Sequence, residues 1–477
     1  NRFQNNTNAT YDGSTPATRL PDGTTEVYGG ISYAGNTTKN NHLTVTGVQG
    51  NLTSAYGGKT AGAKGDAAKN SVTVEATNIG DNAGAISNVI GGYTSSAEAS
   101  AKAEDNTATI KDGTVGAVYG GYVTEAASAT GNHVFIEGGT VQNAVVGGGG
   151  TSAAVGNMSG NDVTITGGKV TGHVIGGDSR ILTSTSTSNG NIINLGDDSG
   201  TYSADLSGAE IWGTSYAGNV LANDDARIAG NTLNVKTKEN GATLKKIRNI
   251  EKINFLLRDD TAQNAPLLSL TETGGFGKRS SDNADVAMKW SNVHVDMSKI
   301  TTAKEAAKLQ GKNSYSLLHN ADNTLKFSDY AARYERFGGV YETGLRTDSG
   351  TNTATEVLYD VNRFKDGRVT YTSASTGEAL GGYSAFGNTT TGNQLTVEGV
   401  TGSLVAAYGG QTAGASGNSV NNKVTLKGTG AGSIANVYGG AITNVANSGN
   451  VTGNTVTIMG GKVTGSIYGG FAAGSGK

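Results

Sequence analysis

Short alternations of apolar and polar residues, punctuated by paired glycines, run through most of this chain. The clearest unit is GNHVFIEGGTVQNAVVGG (Gly131 to Gly148), in which Val134 and Ile136 stand on one period-2 run and Val141 and Val145 on another. GNDVTITGGKVTGHVIGG (Gly160 to Gly177) follows at once, and GNTVTIMGGKVTGSIYGG (Gly453 to Gly470) lies far downstream. Period-2 runs of Val, Ile and Thr predict strands. The remainder of each unit, such as YVTEAASATG, is rich in Ser, Thr and Ala and alternates weakly. No 3.6-residue periodicity accompanies these units, which argues against helical repeat arrays.

The glycine pair closing each unit serves as a ruler. Pairs begin at Gly29, Gly57, Gly91, Gly120, Gly147 and Gly176, then at Gly381, Gly409, Gly439 and Gly469, with steps of 27 to 34 residues. An asparagine recurs in parallel: Asn41, Asn70, Asn106, Asn132, Asn161, Asn191 and Asn231, then Asn393, Asn422 and Asn454. A period of about 29 residues with two or three short strands predicts one rung of a parallel β-helix. Rungs would stack at the ~4.8 Å spacing of adjacent strands.

Residue types fit that geometry. The Gly-Gly pairs are expected at corners, where positive φ and tight bending exclude a side chain. The recurrent Asn is expected to stack as a ladder of side-chain amides; Asn is also a favoured turn residue, and the two readings are compatible. Tyr28, Tyr56, Tyr119, Tyr408, Tyr438 and Tyr468 share a slot with Ile90, Val146 and Ile175, which predicts apolar packing there. The residue after each first apolar run reads Thr46, Glu75, Lys111, Glu137, Thr166, then Glu398, Lys427, Met459. Stacked, these alternate in charge, a stabilising cross-strand pattern, and Glu137 is expected to pair with a neighbour.

A longer repeat overlies the short one. LTVTGVQGNLTSAYGG (Leu43 to Gly58) recurs as LTVEGVTGSLVAAYGG (Leu395 to Gly410), with 11 of 16 positions identical. The chain therefore reads as about one and a third copies of a module of roughly 350 residues, and as a piece of a longer tandem array. We expect a solenoid over 1–240, a compact β-rich insert over 241–360 that caps and connects, and a second solenoid over 361–477. In the insert, LKKIRNIEKINFLL (Leu244 to Leu257), PLLSL, VHVDM and YSLL read as strands, and TTAKEAAKLQG (Thr301 to Gly311) as a short helix. The predicted class is all-β: a parallel β-solenoid interrupted by that insert.

Composition narrows the function. Of 477 residues 75 are Gly, 3 are Pro and none is Cys, so disulfides, thiol nucleophiles and Cys-based zinc sites are excluded. The net charge of −3 and singly scattered Lys and Arg give no footprint for nucleic acid. No apolar run approaches the length of a membrane-spanning helix.

The rung pattern followed by KIRNIEKINFLL, PLLSLTE, VHVDMSKI and NSYSLLHN resembles autotransporter-type (type V secreted) repetitive surface adhesins. The resemblance is closest to large β-helical passenger regions of Gram-negative anaerobes, and it covers essentially the whole chain. It implies a right-handed β-helix outside the cell, exported through an outer-membrane pore and serving as adhesin or fibre. Its implied partners are further copies of the same module, in covalent tandem or end to end, and surface glycans or proteins of a host or microbe.

Catalytic chemistry finds no candidate. The five His (His42, His133, His173, His294, His319) are widely spaced, and no HExxH, GxSxG or Walker pattern occurs. Asp197-Asp198 and Asp259-Asp260 read first as turns, with a surface calcium site as the alternative. We therefore expect no enzyme, cofactor or metal. The leading expectation is a structural or adhesive filament. The alternative is a carbohydrate- or receptor-binding module whose variable loops after each Gly-Gly present Tyr33, Tyr93, Tyr122 and Tyr383; a β-helical polysaccharide-degrading enzyme ranks below both.

Overall fold

The computed structural model describes residues 7–476 apart from 15–17, 20–24, 49, 79–83, 152–155, 180–186, 217, 239–240, 259, 264, 301–310, 321, 323 and 373–376. The expected helix at Thr301–Gly311 falls almost wholly outside the described residues. Among those described, two 3-10 turns, Ala226–Ile228 and Trp290–Asn292, are the only helical elements.

The chain divides into two compact units, 1–299 with 317–330 and 351–356, and 300–316 with 331–350 and 357–477. The first unit is a parallel β-solenoid. One sheet stacks ten strands, from Asn8–Tyr11, His42–Val45 and Ser71–Val74 through to Thr232–Val235, Lys252–Leu256 and Val293–Asp296. A second stacks Thr25–Ser32, Asn51–Thr60, Ala85–Thr94, Thr114–Val123, Thr140–Gly150, His173–Ser179, Glu210–Tyr216 and Lys246–Arg248. A third, narrow sheet holds Thr38–Lys39, Ala67–Ala68, Lys102–Glu104 and Ser128–Thr130. The rungs spanning residues 25–150 thus have two long faces and one short one, matching the two strong apolar runs and the weak Ser/Thr/Ala remainder.

Register explains the core. Val72 pairs with Ala108, Val134, Val163 and Ile193 in turn up the first sheet, and Val74 with Ile110, Ile136, Ile165 and Leu195; all are fully buried. Burying each Val, Ile or Leu of these rows is worth roughly 1.5–3 kcal/mol. The narrow third face is lined mainly by Ala101, Ala103, Ala127 and Ala129, with Val123 and Met158 completing the cluster.

The two kinds of glycine pair separate. The pairs between apolar runs do sit at corners: Gly139 and Gly168 have φ of 70° and 78°. The pairs used as the ruler correct the expectation. Gly57-Gly58 and Gly120-Gly121 lie inside strands, without positive φ, and are glycine for want of room. A Cβ on Gly57 would stand 2.5 Å from the Gly91 carbonyl oxygen on the next rung. One on Gly58 would stand 2.3 Å from the Asn70 amide carbon. The sharp turn falls instead at the residue before each recurrent Asn. Asn40, Lys69, Asp105, Gly131, Gly160 and Gly190 have φ between 53° and 67°.

The solenoid does not stop at the compositional change near residue 240. Strands Lys252–Leu256 and Val293–Asp296 continue the first sheet in parallel register. The second unit repeats the three-faced rung, with sheets of four, five and three strands over its last hundred residues. It also contains an antiparallel meander, Arg333–Phe337, Tyr341–Thr347 and the paired part of Glu356–Arg363.

Candidate functional site

Three features repeat along the rungs. The first is the recurrent asparagine, which forms a continuous ladder inside the corner. In the first unit the side-chain nitrogens donate from Asn41 to Asn70, Asn106, Asn132, Asn161, Asn191 and Asn231 in succession, at 2.9–3.3 Å. Each Oδ1 also accepts the backbone N–H of the preceding Asn, for example Asn106 N–H to Asn132 at 3.1 Å. The second amide proton goes to a carbonyl, as from Asn132 to Ala103 at 2.9 Å. The full hydrogen-bonding capacity of the Asn70, Asn106, Asn132 and Asn161 side chains is used, which burial demands. Both ends are closed: Thr7 donates to Asn41, and Asn231 donates to the Ser188 and Asn249 carbonyls. The second unit carries the same ladder through Asn393, Asn422 and Asn454.

The second feature is aromatic. The tyrosine slot does stack in register, Tyr28 on Tyr56 and Tyr408 on Tyr438 on Tyr468. It lies on the outer face of its sheet, opposite the inward Val27, Ala55 and Val89. Ring centroids are 5.6 Å apart for Tyr28–Tyr56, 4.8 Å for Tyr408–Tyr438 and 5.2 Å for Tyr438–Tyr468, with planes within 13°. Beneath the rings of the first unit the Lys59 ammonium contacts Glu26 at 2.6 Å, with only 11% and 7% of their side chains exposed. The same ammonium lies 4.7 Å from the Tyr56 ring centre. Burial raises the phenols of Tyr28, Tyr56 and Tyr93 above their ordinary range, and the Glu26 carboxylate adds to the effect.

Of the residues expected to present a ligand surface, Tyr93 and Tyr122 come together, stacked at 6.1 Å. They stand within strands Ala85–Thr94 and Thr114–Val123 and not on the loops that follow. Tyr33, at 43% exposure, follows strand Thr25–Ser32. Tyr383 belongs to the second unit, with the Lys312 ammonium 5.1 Å from its ring. Parallel stacking turns ring faces toward one another and leaves mainly edges outward, which disfavours a sugar lying flat along the row.

Charge alternation holds where both partners are present. Lys111 pairs with Glu75 at 3.4 Å and Lys427 with Glu398 at 2.9 Å. Glu137 departs from expectation: it makes no ion pair among the described residues, because Lys111 turns to the other neighbour.

The third feature is polar and escaped the sequence reading. The outward row of the first sheet holds Thr44, Thr73, Thr109, Phe135 and Thr164, then changes to Asn194, Asn234, Asn254 and His294. Asn254 donates to Asn234 and Asn234 to Asn194, each at 2.8 Å, and Asn194 donates to the Asp162 carboxylate at 3.1 Å. The row opens into a cleft of about 390 Å³ lined by Asn234, Asn254, Leu256, His294, Asp296 and Lys299, among others. The signal was Asn194 of NIINL, Asn234 of NTLNV and Asn254 of KINFL, sitting where most other rungs have Thr.

The acidic pairs act locally. Asp197 accepts the backbone N–H groups of Ser199 and Thr201, and Asp198 pairs with Lys236 at 2.8 Å. Asp260 pairs with Lys238 at 3.3 Å, while Asp259 lies outside the described residues. Among the described residues no three His, Asp or Glu side chains gather as metal ligands, and no helix is long and apolar enough to cross a membrane. Comparison of the chain with family models, curated proteins and solved structures returns no match.

Proposed function

We propose that the chain is part of a structural, adhesive surface filament, an extracellular stalk built from tandem β-solenoid modules on a bacterial cell. The observation carrying this reading is the buried asparagine ladder, saturated with hydrogen bonds and closed at both ends of the first unit's run. Such a ladder couples every rung to the next and resists local opening, a property a stalk needs. The roughly 350-residue sequence repeat supplies extension by adding modules. Ten strands at ~4.8 Å give each full stack a rise of roughly 40 Å. The export route and the adhesive role rest on the resemblance to autotransporter passengers.

Electron microscopy of the protein on and off the producing cell tests the proposal. Expected are surface-labelled rods of single-solenoid width whose length grows in proportion to module number. Globular particles, or purely internal labelling, would overturn it.

A further inference from the structure

We propose that the cleft at the end of the outward asparagine row binds an uncharged oligosaccharide. This goes beyond the filament reading and does not depend on it, since the cleft belongs to one module whether or not modules polymerise.

The first argument is the choice of residue. Thr fills this outward row at Thr44, Thr73, Thr109 and Thr164, and in the second unit at Thr370, Thr396, Thr425 and Thr457. Thr suits an exposed strand position and Asn does not. Three successive Asn therefore mark a departure from what the fold selects for itself, and the departure coincides with the cleft.

The second argument is the direction of the hydrogen bonds. The row is a chain of amides, each donating toward the Asp162 carboxylate. Charge at one end polarises such a chain and strengthens the acceptor at the other. That acceptor is the Asn254 Oδ1, which accepts no hydrogen bond among the described residues. The buried ladder, by contrast, is closed at both ends.

The third argument is the surroundings. Leu256 and Val295 offer an apolar patch, while His294, Asp296, Ser298 and Lys299 are exposed around it. Asp198 and Asp296 balance Lys236 and Lys299, so the carboxylates and ammonium groups lining the cleft sum to no net charge. An anionic polymer would meet two carboxylates and gain little. A sugar hydroxyl both donates and accepts, and so matches a surface where amide oxygen, carboxylate, ammonium and imidazole alternate over an apolar patch. The cleft volume also falls within the roughly 300–1,000 Å³ of small-ligand sites.

The test uses the full chain with neutral hexose tetrasaccharides of α- and β-linked glucose, galactose and mannose, and a sulfated oligosaccharide as contrast. Saturation-transfer NMR reads binding, and the His294 ring protons report its place. At least one neutral series is expected to bind and to shift His294. Asn254→Thr, which restores the residue of the other rungs, is expected to weaken binding by roughly tenfold or more without lowering the melting temperature. Lys299→Ala, at an exposed position, provides a second variant with the same expected direction should Asn254→Thr fold poorly. No binding of any neutral series up to about 10 mM, binding that both variants leave unchanged, or salt-sensitive preference for the sulfated sugar would each overturn the proposal.

Discussion

Two asparagine ladders run up the first unit with the same side chain and nearly the same bond length, yet they differ in every property that matters. The corner ladder is buried, uses all four hydrogen-bonding positions of Asn70, Asn106, Asn132 and Asn161, and ends on Thr7 at one side and on main-chain carbonyls at the other. The outer ladder is half-buried at Asn234 and Asn254, each of which makes one donor contact along the row, and it ends on an unused acceptor at a cleft. Repetition alone therefore does not distinguish scaffold from site. Closure does: a saturated row can only hold the stack together, whereas an open row retains capacity for a ligand.

The largest expected effect comes from breaking the closed ladder. Asn132→Ala leaves the Asn106 backbone N–H and side-chain amide, and the Ala103 carbonyl, without their partners in a dry corner. Denaturant unfolding should show a loss of about 3–5 kcal/mol. A loss below about 1 kcal/mol would mean that the corner admits water. Next comes Gly121→Ala, whose Cβ would lie 2.5 Å from the Asn132 amide nitrogen. Its strain should cost about 2–3 kcal/mol, and the same substitution at the exposed positive-φ Gly339 provides a contrast governed by backbone conformation alone.

A broader and shallower effect is expected with alkali. Burial raises the phenols of Tyr28, Tyr56, Tyr93, Tyr408 and Tyr438. A raised folded-state value means stability fully present below the unfolded value near 10 and lost as pH climbs toward the folded one. Melting temperature should fall only above about pH 10, with phenolate absorbance rising late and together with unfolding. Early phenolate formation at constant stability would show the aromatic row to be open. Smaller again is Asn254→Thr on the outer ladder, expected to change stability by less than about 1 kcal/mol. The smallest is Lys427→Ala, whose exposed pair with Glu398 should contribute under about 0.5 kcal/mol.

Much of this was legible from residue order. Period-2 runs such as Val134–Ile136, the 27–34-residue steps and the recurrent Asn identify a parallel solenoid because each residue stacks on its own counterpart. The amide ladder follows from the same repetition. What composition suggested wrongly was the role of Gly120-Gly121. Glycine serves bending and close approach equally well, and only the neighbouring Asn132 amide reveals which applies. The site was less legible still. Tyr33, Tyr93, Tyr122 and Tyr383 drew attention as the first residues of the variable loops after the Gly-Gly pairs, yet Tyr93 and Tyr122 stand in adjacent strands and form one stack. Asn194, Asn234 and Asn254 are separated by 40 and 20 residues, so their row becomes visible only once rungs of unequal length are aligned.

The most direct measurement is hydrogen exchange of asparagine side-chain amides, followed by NMR on chain labelled at Asn. Asn132 and Asn161 protons should exchange only through global unfolding, while those of Asn254 exchange orders of magnitude faster and slow on adding a bound oligosaccharide. Equal rates in the two rows, whether both fast or both slow, would contradict the division between a closed scaffold and an open site.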